Sequence, residues 1–559
     1  MESMRSTAYL RYAIATVALL LGFALSIRLG DRGVIFDGQS ALATPSVPEG
    51  EYNLQALEVF NRVVGQLGRT YVEPERIEPH RLLVYALDRV QNAVPEVVAL
   101  FNADIDDGPT EVEVRVGAAS QRFELGQVDR LWEVPFKLRE VLAFLQANVS
   151  EAGIDLREVE YEAVNGMLST LDPHTVLLRP RVYSDMQMQN QGEFGGLGIV
   201  ISIRENELTV ISPINDTPAS RAGFRAGDRI VKINSESTVN MPLDEAVSRL
   251  RGRPGTTVTL EVMRTGWTEP HRFELTREQI PIVSVEHEAL GDGIGYVSIT
   301  NFQQRTHQDM LEALDALRTE MGELRGLVLD LRNNPGGLLT QAVAVSDTFL
   351  AEGRIVTTVG LGDQIREEQN ATASQTQGDY PIVVLVNAGS ASASEIVAGA
   401  LKAHNRAVVM GETTFGKGTV QIINAFADGS ALKITMAKYL TPGDVSIQGV
   451  GIVPDIRMIP VSVDEDFVDL YPPEHVFREG DLQRPLSGGG VVAEATLPSV
   501  TLKYYAATDE TSPDAVEGEE PFRPDFEINA ARQVLLAAGD AVERQGLLAR
   551  SAATLSTLG

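Results

Sequence analysis

Residues 326–350 read GLVLDLRNNPGGLLTQAVAVSDTFL, and residues 381–411 read PIVVLVNAGSASASEIVAGALKAHNRAVVMG. Each starts with a short apolar run, passes through a turn of small residues, and continues with apolar positions at helical spacing. Two strand–turn–helix units in succession imply crossover connections and a largely parallel sheet. Working outward, GYVSITNF (295–302) and a helical run from Gln308 to Met321 precede them. AVVMGE (407–412), QIINAF (421–426) and ALKITMAKYL (431–440) follow as strands. The core of the chain is therefore expected to be α/β.

The two turns also carry the chemistry-bearing residues. In Asn387-Ala388-Gly389-Ser390-Ala391-Ser392-Ala393-Ser394-Glu395, small residues between strand and helix let the backbone turn sharply and a substrate approach closely. A serine there projects beside free helix N–H groups. The physics is that of a nucleophile elbow, although the Gly-x-Ser-x-Gly pattern is absent. The same residues fit the capping box S-x-x-E, which would make Ser392 only an N-cap. Gly411-Glu412-Thr413-Thr414-Phe415-Gly416-Lys417-Gly418 nearly matches a phosphate-binding loop. It lacks the metal-binding hydroxyl at position 418, and a strand follows it where that motif needs a helix. What remains is Lys417 between glycines at a strand junction. Burial there disfavours the charged ammonium, and a neutral lysine is a general base towards serine. Read alone, it is more simply a surface lysine in a turn. Asp330-Leu331-Arg332-Asn333-Asn334-Pro335-Gly336-Gly337 closes a buried strand. The N–H groups of Gly336 or Gly337, with that of Ala393, are candidates to hold a developing oxyanion.

Composition removes other classes. The 559 residues contain no cysteine, so there is no disulfide, thiolate metal site or cysteine nucleophile. Seven histidines are scattered with no HExxH pair. A net charge of -30 argues against a nucleic-acid partner. No metal or organic cofactor is implied.

The flanks divide the chain further. In residues 1–50, Arg5 and Arg11 precede an apolar run from Tyr12 to Ile27, closed by Arg28. That run lies between a signal-peptide core and a full span. Ala41-Leu42-Ala43 would suit cleavage but sits far downstream, so an uncleaved signal-anchor with an exported body is expected. Residues 51–190 read as mostly helical, with a hairpin-like stretch near 103–130 and a helix over 160–178. Residues 191–279 are a compact half-β module, beginning with the Gly-rich QGEFGGLGIVISI. The α/β core occupies 280–460. Residues 461–559 are less readable. An acidic, Pro-rich stretch over 506–525 reads as a linker, followed by one helix over 527–548.

Six ordered motifs between about 160 and 456 carry a resemblance: GMLSTLDPHT, GEFGGLGI, LDLRNNPGG, GSASASEIVAGAL, GETTFGKGTVQ and SIQGVGIVPD. Together they resemble the carboxyl-terminal processing peptidases, the tail-specific family of Ser–Lys endopeptidases. The resemblance implies a crotonase-like α/β protease core, a preceding PDZ domain and a helical N-terminal region. It implies Ser392 as nucleophile and Lys417 as base, at the family spacing of 417 − 392 = 25. Gln421 would orient Lys417, and Glu395 and Thr414 would support the site. Gly195, Gly196, Leu197, Gly198 and Ile199 would form the loop that captures a peptide's C-terminal carboxylate. Substrates would be exported proteins with free C-termini, met on the extracytoplasmic side of the cell envelope. Oligomers would form through the helical N-terminal region. One departure stands out: Ala403, within Lys402-Ala403-His404-Asn405-Arg406, replaces an acidic residue often found in the family. His404 lies ~18 Å along the helix from Ser392 and does not qualify as a triad histidine on proximity. The rival to an active peptidase is a peptide-binding scaffold whose site has decayed.

Overall fold

The computed structural model describes residues 27–30, 33–36, 52–149, 155–204, 206–361, 366–464, 467–469, 476–488, 490–492, 498–506, 525–539 and 541–558. The chain divides into two compact units, residues 1–51 with 427–429, and the remainder. In the first, Ile27–Gly30 and Gly33–Phe36 pair antiparallel. The apolar run before Ile27, the Ala41-Leu42-Ala43 site and residues 507–524 of the acidic linker lie outside the described residues. No helix among the described residues is long and apolar enough to cross a membrane. Everything below concerns the second unit.

Its N-terminal part packs four helices around one core: α1 (Glu58–Thr70), α2 (Pro79–Arg89), α3 (Val134–Asn148) and α4 (Leu156–Leu168). Val59, Phe60, Val63 and Leu67 recur on one face of α1 and are buried. The hairpin-like stretch is a three-stranded antiparallel sheet, β1 (Val97–Phe101), β2 (Glu111–Val116) and β3 (Ala119–Glu124). The helix expected over 160–178 ends at Leu168. Asp172 then caps a turn by accepting from the amides of His174 (2.9 Å) and Thr175 (3.1 Å), and the chain continues as β4 (Val176–Leu178).

After α5 (Pro180–Gln191) and β5 (Glu193–Gly196), the half-β module follows. It holds β6 (Ile199–Arg204), β7 (Glu207–Pro213), β8 (Arg229–Ile233), α6 (Leu243–Leu250), β9 (Thr257–Met263) and β10 (His271–Thr276). The sheet order is β10-β9-β8-β7-β6, which leaves β6 as an outer strand. Leu208, Val210, Phe224, Ile230, Leu260 and Val262 form its own core. The chain leaves through β11 (Glu278–Pro281), which pairs antiparallel with β5.

The remaining strands build a mixed sheet in the order β12 (Val285–Ala289), β13 (Ile294–Ile299), β14 (Gly326–Asp330), β16 (Ile382–Val386), β17 (Ala407–Gly411), β20 (Ile456–Asp464). Every pair from β13 to β20 is parallel. Alternation decides which side each residue covers. Leu327, Leu329, Ile382, Val384 and Val409 meet α7 (Thr306–Met321), α8 (Leu339–Phe349) and α9 (Ala393–Ala403) on one face. Val328, Val383, Leu385, Val408 and Met410 meet α10 (Phe526–Ala538) and α11 (Arg544–Leu558) on the other. Burial on both faces is why these strands read as continuous apolar runs.

QIINAF and ALKITMAKYL are strands as expected, and they lie outside the parallel sheet. They form an antiparallel hairpin, β18 (Thr419–Ala425) and β19 (Ala431–Thr441), in a second sheet with β15 (Arg354–Gly360) and β4. The single C-terminal helix is two helices, broken after Ala538 at Gly539, whose φ is 62°.

Candidate active site

The three serines of the small-residue turn separate by what their hydroxyls do. Ser390 is buried, donates to the Leu331 carbonyl (2.8 Å) and accepts from the Asn387 amide (3.0 Å). Ser394 is buried and donates to the Asn334 carbonyl (2.9 Å). Ser392 is half-buried at the N-cap of α9, where it shares a capping box with Glu395, and its hydroxyl donates to no group among the described residues. Its backbone sits at φ 54°, ψ -110°, an unusual conformation for a residue with a side chain. The turn is therefore strained at the one serine that is left open.

Glu395 ties this turn to the lysine loop. It is buried, and its Oε2 accepts from the amides of Ser392 (2.8 Å) and Lys417 (2.9 Å). Its Oε1 accepts from the Gly416 amide (2.7 Å) and the Thr414 hydroxyl (2.5 Å). Thr414 Oγ1 in turn accepts from the Ile452 amide (2.7 Å), so its proton is committed to Glu395. Four donors on one carboxylate call for the ionised form, whereas burial pushes its pKa up to about 7. A second bridge comes from Tyr439 on β19. Its buried hydroxyl reaches the carbonyl of Ser392 (3.0 Å) and that of Lys417. Backbone atoms on both sides of the gap are thus held by shared partners.

The Lys417 ammonium is in no ion pair among the described residues. Burial, and then the Lys433 charge, pull its pKa down to about 8. Glu479, Glu395 and Asp172 pull the other way. Gln421 does not meet the lysine. Its side-chain amide donates to Thr419 Oγ1 (2.9 Å), with a longer contact to Thr435 Oγ1 (3.5 Å). Thr435 Oγ1 itself donates to Asp172 (3.1 Å).

The Gly336–Gly337 turn lies against the nucleophile turn. A Cβ on Gly336 (φ 104°) would sit 2.9 Å from both the Ala391 carbonyl and Ser392 Cβ. One on Gly337 (φ 141°) would sit 2.3 Å from the Phe302 carbonyl. Only glycine fits either place. The Gly336 amide is already used, donating to Asn334 Oδ1 (2.9 Å). Gly337 bridges Phe302 through its neighbours, by Phe302 N–H to the Gly336 carbonyl (2.9 Å) and Leu338 N–H to the Phe302 carbonyl (2.8 Å). Its own N–H takes no part. Of the two glycines, Gly336 lies against the start of α9, where its added Cβ would come 3.0 Å from the Ala393 nitrogen, while Gly337 keeps an N–H with no partner among the described residues. His404 is turned away, bonded through Nε2 to the Arg354 carbonyl (2.6 Å).

In the half-β module, Gly195 and Gly196 belong to β5 and pair with Gln279 and Glu278. The Gly195 carbonyl accepts from Gly252 (3.0 Å). Leu197 and Gly198 form the turn into β6, and their carbonyls accept from Ala219 (3.0 Å) and Ile214 (2.9 Å). Ile199 opens the outer strand. The five residues thus fall on a strand end, a turn and a strand start. Sequence reasoning passed over Tyr439, Asn334, Gln448 and Glu479. Gln448 stood inside a quoted motif, and the strand alternation of ALKITMAKYL placed Tyr439 facing inward. Nothing marked Glu479.

A strained open serine, a half-buried lysine in no ion pair among the described residues and spare amide donors, in a chain with a separate half-β module, fit a serine protease with a PDZ domain. The comparisons agree. The family description "Peptidase family S41" matches residues 293–458, and "PDZ domain" matches residues 209–264. The carboxy-terminal-processing protease of Bartonella bacilliformis is 44% identical over 296 residues, 53% of this chain and 68% of the relative. The carboxyl-terminal-processing proteases of Synechocystis sp. and Picosynechococcus sp. are 40% and 38% identical over 54% of this chain, and 71% and 73% of their own lengths. The chain belongs to the carboxyl-terminal processing serine proteases of peptidase family S41.

Proposed function

We propose that the chain hydrolyses peptide bonds through Ser392 as nucleophile and Lys417 as general base, on exported proteins selected by their C-terminal residues. The observation that carries this reading is the contrast among the three serines. Ser390 and Ser394 spend their hydroxyls on buried carbonyls, while Ser392 is strained, accessible and tethered through Glu395 to the lysine loop.

In the reaction, the Lys417 Nζ lone pair takes the Ser392 hydroxyl proton as Oγ attacks the scissile carbonyl carbon. The oxyanion is received by the N–H groups of Gly337 and Ala393. Lys417 passes the proton to the leaving amine as the C–N bond breaks. Water then attacks the acyl-enzyme with Lys417 again as base, releasing the acid and restoring Ser392. Gln421 contributes through Thr419 and Thr435 rather than by direct contact. The PDZ domain offers β6 as an edge to which a substrate C-terminus adds as a further strand, with its carboxylate at the Gly196–Ile199 turn. The N-terminal apolar run supports placement in the cell envelope, outside the cytoplasm.

The test is site-mapped covalent labelling with a small phosphonofluoridate. Wild-type protein is expected to carry the label on Ser392 alone, and Ser392→Ala to carry none. Label on Ser390 or Ser394, or turnover of an unstructured protein by Ser392→Ala, rejects the assignment.

A further inference from the structure

The segment after the sheet brings to Lys417 a carboxylate that no motif announces. Glu479 starts a short turn (Glu479–Asp481), beyond the residues matched by the family. Its amide donates to the Phe415 carbonyl in the lysine loop (3.2 Å). Its side chain is fully buried. The carboxylate accepts from Gln448 Nε2 (2.9 Å) and is held by His174 Nε2 (2.8 and 2.9 Å). Gln448 Oε1 accepts from the Gly418 amide (2.8 Å). Glu479 therefore grips the loop on both sides of the lysine, directly at Phe415 and through Gln448 at Gly418.

A carboxylate removed from water is retained only where partners compensate it. Two hydrogen-bonding side chains do so here, and the charge is also felt at Lys417. The charged groups facing that lysine are Lys433 from β19, Asp172 from the turn after α4, Glu395 from α9, and Glu479. His174 faces Glu479 from the far side. Glu479 is the only one of these from outside the stretch that carries the family motifs.

We propose that Glu479 is a positioning residue for Lys417, fixing the loop that carries the lysine and setting how much of it is free base at working pH. The proposal rests on Lys417 being the general base. Glu479 acts through Gln448, Phe415 and its charge, without touching substrate. Its two actions separate experimentally. Removing the charge favours the neutral lysine and moves the acid limb of activity to lower pH. Loosening the loop lowers the plateau rate without moving the limb.

The experiment measures, in the purified full chain, the pH dependence of Ser392 labelling by the phosphonofluoridate and of peptide hydrolysis. The variants are Glu479→Gln, Glu479→Ala and the charge-preserving Glu479→Asp. In the Gln and Ala variants the midpoint is expected to fall by about half a pH unit or more. One unit below the parental midpoint, the fraction of plateau rate then rises about threefold. The Asp variant is expected to lose plateau rate with its midpoint in place. An unmoved or raised midpoint in Gln or Ala, or a shifted midpoint in Asp, overturns the proposal. Each variant that retains the parental circular dichroism spectrum is decisive alone. Labelling of Ser392→Ala would instead sink the underlying Ser–Lys reading. Normal labelling of Ser392 with an unmoved midpoint sinks only the role of Glu479.

Discussion

The two loops that meet at Ser392 and the outer strand of the PDZ domain are built on opposite plans. Around Ser392 and Lys417, backbone donors and acceptors are claimed by buried side chains: Glu395 holds four donors and Tyr439 reaches two carbonyls. Along β6 the sheet simply ends, and Val200 and Ile203 stand 44% and 39% exposed. A site that stabilises a fleeting charge gains from being fixed before substrate arrives. A site that reads a peptide as an added strand must leave its edge unfilled. On the proposed function, rigidity serves the chemistry and openness the selection, so changes in the two regions should fail differently.

The largest effects should come from the reacting pair. Ser392→Ala and Lys417→Ala are each expected to lower kcat/KM on the order of 10^4-fold or more with melting temperature little changed. The double variant should be no worse than either single one, because members of one catalytic unit are not additive. Additive losses measured by steady-state peptide hydrolysis would break the assignment of the two as a pair.

Next comes the hub. Glu395→Gln replaces an acceptor of four hydrogen bonds with a group that must itself donate, leaving buried amides opposed. An unmet buried donor costs about 1–3 kcal/mol, so a lowered melting temperature should accompany a rate loss on the order of 10^2-fold. Retained stability and rate would mean that the bridge between the loops is incidental. Tyr439→Phe removes only the hydroxyl that joins the Ser392 and Lys417 carbonyls. Its expected cost is about 1 kcal/mol of stability, with a rate loss of about tenfold or less.

The smallest effect belongs to the open region. Amidating a substrate's C-terminus removes the charge offered to the Gly196–Ile199 turn. It should raise KM several-fold while leaving kcat in place, since the chemistry lies elsewhere. Equal KM values for free and amidated termini would remove C-terminal reading from the PDZ domain of this chain.

How much of this was legible follows the range of the interactions. The parallel sheet was readable because its strands are buried on both faces and alternate with helices over short distances. The pairing of β18 with β19 in a second sheet was not readable, because strand pattern fixes periodicity and not partner. Ser392 could be read from sequence only as a cap or a nucleophile, and the fold adds that Ser390 and Ser394 spend their hydroxyls on buried carbonyls. Gly336 and Gly337 were indistinguishable until Asn334 claimed one amide. Glu479 and the second face of the sheet, covered by α10 and α11, depend on contacts from far along the chain, for which local pattern carries no signal.

The central claim is that Lys417 works as a neutral base, and the pH dependence of Ser392 acylation tests it most directly. Burial and Lys433 lower the lysine to about 8, so at pH 7 about one molecule in ten carries the free base. An ordinary lysine would offer fewer than about one in a thousand. Since the base form is the active one, labelling of Ser392 should fall about tenfold per pH unit below about 8 and level off above it. Lys417→Arg should abolish labelling at every pH, because arginine keeps its proton. A flat profile from pH 6 to 9, or full labelling in Lys417→Arg, would contradict the account.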